Sequence, residues 1–135
     1  MMCSLVLPFC REMGVGVIPW SPIARGWLAK PRSSALDGSS TSTSIRSQAD
    51  KKSERWFADA NPEIIDAVEK VAEERGVSMA LVATAWVLRQ GCWPILGVSS
   101  EARVHEAVQA LSIKLTDEEC RSLEAGYKPR GIQGM

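Results

Sequence analysis

Two short stretches of this 135-residue chain carry side chains suited to holding an anion. The first is WSPIARG, residues 20–26, which follows the apolar run VGVIP at 15–19. The second is GVSSEARVHE, residues 97–106, which follows CWPIL at 92–96. Each combines hydroxyls, small residues that expose backbone N–H groups, and an arginine. Phosphate is held in this way where a chain enters a helix N-terminus. Arg25, Arg46 and Arg103 offer guanidinium forks that match phosphate oxygens. Either turn alone also reads as ordinary helix capping around solvated arginines. The two together, each at the C-terminal end of an apolar run, point to a phosphate-bearing ligand.

Other chemistry is poorly supported. GVGVIP at 14–19 has two glycines in the register of a dinucleotide-binding loop. It lacks the third glycine, and a strand rather than a helix follows. His105 is the single histidine. It falls among charged residues of a helix, with no metal partner or nucleophile nearby. Ser21 has no neighbouring base to activate it, and Tyr127 lies in the irregular tail.

The elements that must position the two turns follow from pattern. Residues 3–13 read as the end of a helix, with Gly14 as its C-cap. VGVIP does not alternate, so it reads as a strand buried on both faces. Residues 33–53 are rich in Ser and Thr and nearly devoid of large apolar groups, so they read as a long, flexible loop, either disordered or ordered only by a ligand. Asn61-Pro62 opens a helix whose Ile64, Ile65, Val68, Val71 and Ala72 share one face, ending at Gly76. Ser78 caps a nearly all-apolar helix, MALVATAWVLRQ, which should be largely buried. CWPILGV at 92–98 is a second buried strand, with Pro94 near its start. Ser99 or Ser100 caps a third helix. Thr116 and Glu119 make a capping box for a fourth, which runs to about Ala125.

Helices and strands in this order specify an α/β protein with a parallel sheet. Two strands buried on both faces need neighbours that these 135 residues do not supply, so the sequence reads as part of a larger α/β domain. Sixteen basic residues balance sixteen acidic ones, which favours neither nucleic acid nor an anionic membrane as partner. The four cysteines, with no CxxC pair, read as reduced thiols in a cytoplasmic protein. LVLPF near the N-terminus is too short and wrongly flanked for a signal segment or a membrane span.

GVGVIPWSPIARGWLAKP, followed by ILGVSSEARVHEAVQALSIKLTDEECRSLE, resembles the C-terminal half of an aldo-keto reductase. The nearest branches are the fungal aryl-alcohol-dehydrogenase-like and potassium-channel-β-subunit-like proteins. The resemblance begins at about Pro8; residues 1–7 fit the pattern poorly and read as an alternative or artificial start. It implies the last two strands and four to five helices of a (β/α)8 barrel, incomplete as a barrel, since such barrels typically take ~250 residues. It also implies NADPH as cofactor and a small-molecule carbonyl substrate. Residues 1–135 would then be the C-terminal part of one oxidoreductase domain.

By the same resemblance, Trp20, Ser21, Pro22, Ile23, Ala24 and Arg25 wrap the cofactor's pyrophosphate, with Trp20 near the nicotinamide. Arg46 reaches the adenosine side from the Ser-rich loop. Gly97, Ser99, Arg103 and Glu106 hold the adenosine end, with Arg103 on the 2′-phosphate. The family's catalytic Asp, Tyr, Lys and His fall on earlier strands and match no residue here, so no catalytic residue is assigned to this chain. Two rival readings remain. The chain is a catalytically dead fragment whose bare edges bind another protein chain, or it is a vestigial nucleotide-binding module.

Overall fold

The computed structural model describes residues 5–32 and 61–128. The Ser/Thr-rich stretch 33–53, Arg46 within it and the tail from residue 129 lie outside the described residues. Among the described residues, five α-helices are delimited: α1 (Leu7–Glu12), α2 (Pro62–Arg75), α3 (Met79–Arg89), α4 (Glu101–Gln109) and α5 (Asp117–Ala125). None of the described helices is long and apolar enough to cross a membrane.

Local chemistry sets the helix ends. At Gly76 the backbone turns left-handed (φ 62°), and Val77 donates its N–H back to the Ala72 carbonyl at 3.0 Å. Glycine occupies this position because a Cβ is penalised there. The Ser78 hydroxyl accepts from the Leu81 amide at 3.2 Å and caps α3. Asn61 stands at the N-cap position of α2 in extended conformation. Its side chain does not cap the helix; it donates to the Gly126 carbonyl, tying the start of α2 to the end of α5. Gly126 allows that approach, since a Cβ there would sit 2.9 Å from the Glu63 Cβ.

The helices α2, α3 and α5 enclose the main core. Ile65, Val68, Val71 and Ala72 of α2 meet Met79, Val82 and Ala85 of α3, closed by Leu115, Cys120 and Leu123. Ile64, expected on the same face, is half-buried against this cluster. Each large side chain so buried contributes about 1.5–3 kcal/mol. As its composition requires, α3 is buried on nearly all sides. A smaller cluster of Leu7, Val87 and Cys92, flanked by Val17 and Trp86, seats the segments around 17 and 92 against α1 and α3. Burial raises the thiol pKa of Cys92 and of Cys120, and the three described cysteines are free.

The two expected strands are present only in reduced form. Val17 pairs with Cys92 and Trp20 with Ile95, both in parallel, as isolated bridges. No continuous ladder forms among the described residues, and Pro19 is a reason. Its carbonyl accepts from the Ile95 amide at 2.9 Å, so it faces the neighbouring segment but has no N–H to add between the bridges. The segments are also not buried on both faces. Ile18 is 67% exposed, Trp93 63% and Ile95 51%. Nothing in the described chain covers these side chains, which is the deficit that the apolar pattern implied.

One ion pair fastens the end of this assembly. Arg75 grips Glu119 with two parallel hydrogen bonds, 2.5 and 2.6 Å, and donates to the Lys114 carbonyl at 2.9 Å. Glu119 also closes the capping box: Oε2 accepts from the Thr116 amide at 2.6 Å, and its own amide donates to the Thr116 hydroxyl at 3.2 Å. The Arg75 guanidinium holds the Glu119 carboxyl down at about 2, with the Thr116 bonds assisting. A depressed carboxylate stabilises the fold above its unfolded pKa, and that contribution disappears as pH falls through the folded value. Glu119→Gln is therefore expected to cost about 1.5–3 kcal/mol at pH 7. It should also flatten the loss of stability between roughly pH 4.5 and pH 2. Urea denaturation of both proteins across that range checks it.

Candidate functional site: two turns at one end of a parallel pair

Parallel pairing makes both segments leave the pair at the same end. Trp93 donates to the Val17 carbonyl and Ile95 to the Pro19 carbonyl, each at 2.9 Å. The turn after Trp20 and the turn after Leu96 therefore emerge side by side. Pro94 lies between the two donors, so its missing N–H falls on the edge facing away from 17–20.

The first turn has an unusual backbone. Ser21 (φ 56°), Ala24 (φ 49°) and Arg25 (φ 56°) are all left-handed, followed by Gly26 at φ 104°. A non-glycine residue in this region costs roughly 1–2 kcal/mol. Three of them within five residues persist because the surroundings hold them. Ala24 donates to the Ser21 carbonyl at 2.9 Å, and Gly26 and Leu28 donate to the Ile23 carbonyl at 2.9 and 3.2 Å. Downstream, Trp27 and Leu28 pack onto the main core. Backbone strain of this kind concentrates at ligand clamps. The turn brings the Arg25 guanidinium over the Trp20 ring, 4.8 Å from its centroid. Pro22 and Ile23 of the same turn are half-buried.

The second turn opens α4. The Ser100 hydroxyl accepts from the Arg103 amide at 3.4 Å, so Ser100, not Ser99, is the cap. Gly97, Ser99 and Arg103 are exposed, and nothing lies within 4 Å of where a Gly97 Cβ would be. Glu106 accepts from the Ser78 hydroxyl at 2.5 Å, linking α4 to the cap of α3. An open groove of about 620 Å³ runs here, lined by Val77, Ser78, Arg103, His105 and Glu106 among others. His105 faces Glu101 one turn earlier on the exposed side of α4, at 3.6 Å. No group of three or more metal-ligating side chains occurs among the described residues.

The structure thus brings Trp20–Arg25 and Gly97–Arg103 to one end of the pair and sets Glu106 a turn further along α4. Arg46 lies outside the described residues. Sequence reasoning missed two links: the Arg25–Trp20 stack and the Ser78–Glu106 bond. The first depends on left-handed backbone at non-glycine residues, which residue type argues against. The second joins helices whose relative placement no local pattern encodes.

With this geometry in view, the comparisons with known proteins agree on a class. The model of the Aldo/keto reductase family matches residues 4–128. The chain belongs to that family. It is 41% identical over 126 residues to a Saccharomyces cerevisiae protein named as an aryl-alcohol dehydrogenase, AAD16, covering 93% of this chain and 35% of that one. It is 40% identical over 131 residues to the versiconal hemiacetal acetate reductase of Aspergillus parasiticus, covering 94% and 36%. Aldo-keto reductase AMT2 of Alternaria alternata is 37% identical over 134 residues, covering 96% and 34%. The chain spans about a third of the length of these curated relatives.

The strain in the first turn is directly testable. Ala24→Gly is expected to leave stability unchanged or raise it by up to about 1 kcal/mol, because glycine accepts positive φ without a Cβ clash. Ala24→Val, β-branched at the same φ, should cost more than about 1 kcal/mol. Thermal denaturation of the two variants distinguishes them.

Proposed function

We propose that this chain is the cofactor-binding C-terminal part of an NADPH-dependent aldo-keto reductase that reduces aldehydes or ketones in the cytoplasm. The observation that carries this reading is the parallel pairing of 17–20 with 92–95. It sets two anion-suited turns side by side, with Arg25 on one and Arg103 on the other. A dinucleotide phosphate carries charge at two separated places, its pyrophosphate and its 2′-phosphate, and two such turns match that demand.

The residues present fit such a ligand. Ser21, Pro22, Ile23, Ala24 and Arg25 would hold the pyrophosphate, and the exposed Trp20 would stand beside the nicotinamide. Gly97 and Ser99 would receive the adenosine end, with open space at Gly97 for close backbone approach. Arg103 would pair with the 2′-phosphate, and Arg46 would contribute from the Ser-rich segment. Glu106, held by Ser78, would border the adenosine. When bound, the reduced nicotinamide supplies the hydride for a carbonyl carbon. The family's Asp, Tyr, Lys and His, which complete the reaction, match no residues of this sequence. Proton delivery to the carbonyl oxygen therefore belongs to earlier strands of the barrel.

The exposed apolar surface fits the same reading. Ile18, Trp93, Ile95 and Val98 on the paired segments and Val104, Val108 and Leu111 at α4 present bare hydrocarbon. A groove of about 350 Å³ lies between Trp93, Val98, Val104 and Val108. Patches of this kind mark surfaces that pack against further chain, and here the remaining strands and helices of the barrel would cover them.

The test is a binding measurement. NADPH should quench tryptophan fluorescence of the intact protein. Arg103→Ala should weaken NADPH about tenfold or more, the value of a lost charge-assisted hydrogen bond, and leave NADH affinity unchanged. Equal losses for both cofactors would remove Arg103 from the 2′-phosphate.

A further inference from the structure

From the Arg25–Trp20 stack we infer that Arg25 makes this site discriminate between the two redox forms of its cofactor, disfavouring the oxidised one. The inference rests on the reading of Trp20 as the residue beside the nicotinamide. The guanidinium lies over the indole, 4.8 Å from the ring centroid, and the left-handed backbone at Ala24 and Arg25 places it there. Trp20 is anchored by its bridge to Ile95, yet it stays 63% exposed with Arg25 over it. Indole surface is therefore still open to a planar group from outside.

An aromatic ring attracts a cation through the negative charge on its faces. Once Arg25 draws on that charge, a second cation at the same ring meets a weakened quadrupole and a like charge. The oxidised nicotinamide is a pyridinium and carries a positive charge; the reduced dihydropyridine is neutral. The rest of the dinucleotide is identical in the two forms. The Arg25–Trp20 pair therefore penalises the oxidised form, which weakens its binding and speeds release of spent cofactor. In this role Arg25 is a positioning and specificity residue that acts through Trp20.

The measured quantity is the ratio of the dissociation constants, NADP⁺ over NADPH, from calorimetric titration of the intact protein. Arg25→Gln keeps a flat side chain but removes the charge; Arg25→Lys keeps a cation. The ratio should fall about two- to fivefold in Arg25→Gln, the order of an exposed cation–ring contact, and should hold in Arg25→Lys. Any phosphate contact or structural support lost with Arg25 weakens both forms together and cancels in the ratio. An unchanged or increased ratio in Arg25→Gln, with both forms still binding, would overturn the inference and leave the cofactor reading intact. Failure of NADPH to bind the unmutated protein would overturn the cofactor reading, and the inference with it.

Discussion

Two backbone hydrogen bonds organise the site: Trp93 to the Val17 carbonyl and Ile95 to the Pro19 carbonyl. They set the direction of two segments that are 75 residues apart in the chain at the Val17–Cys92 bridge (92 − 17). Without them the turn carrying Arg25 and the turn carrying Arg103 have no fixed relation. The pairing is short, and Pro19 interrupts it. Its support comes from beneath, where Leu7, Val87 and Cys92 form a small core with Val17 and Trp86 at its edge. The larger core of α2, α3 and α5 supplies the platform on which α3 presents that seat.

Cost and support are distributed unevenly along the chain. The helical layer satisfies its polar groups closely, with the Arg75–Glu119 fork, the Thr116 capping box and the bond from the Trp86 indole N–H to Glu124 at 2.9 Å. The end that carries the two turns shows the opposite pattern: three left-handed non-glycine residues, an exposed indole and bare apolar side chains. A well-satisfied scaffold that holds a strained, exposed edge is the arrangement expected where a ligand and further chain complete the structure.

Much of this was legible in the residues themselves. The apolar period of α2, the all-round apolar character of α3, the Ser78 cap and the Thr116–Glu119 box are local patterns, and each appears where its chemistry requires, whereas the sequence left the cap of α4 open between Ser99 and Ser100. The family was legible from the two turn motifs in combination. The paired segments were legible as strand-forming and as needing cover that these residues do not supply; that they pair only through two isolated bridges was not. The Asn61 side chain left its cap to reach Gly126, because the close approach of α5 offered a carbonyl that no local pattern foretells. The left-handed path through Ser21, Ala24 and Arg25 was hidden for a related reason. Tertiary anchoring at Trp27 and Leu28 overrides the preference of those residues for negative φ.

In the function proposed here, two turns joined by a short parallel pair act as one dinucleotide site. Hydrogen–deuterium exchange of the intact protein with and without NADPH tests it most directly. The account predicts slow exchange at the Trp93 and Ile95 amides in both states, and new protection on NADPH binding in residues 21–26 and 97–103 together. Protection confined to one turn, or NADPH binding that leaves both turns unprotected, would contradict it.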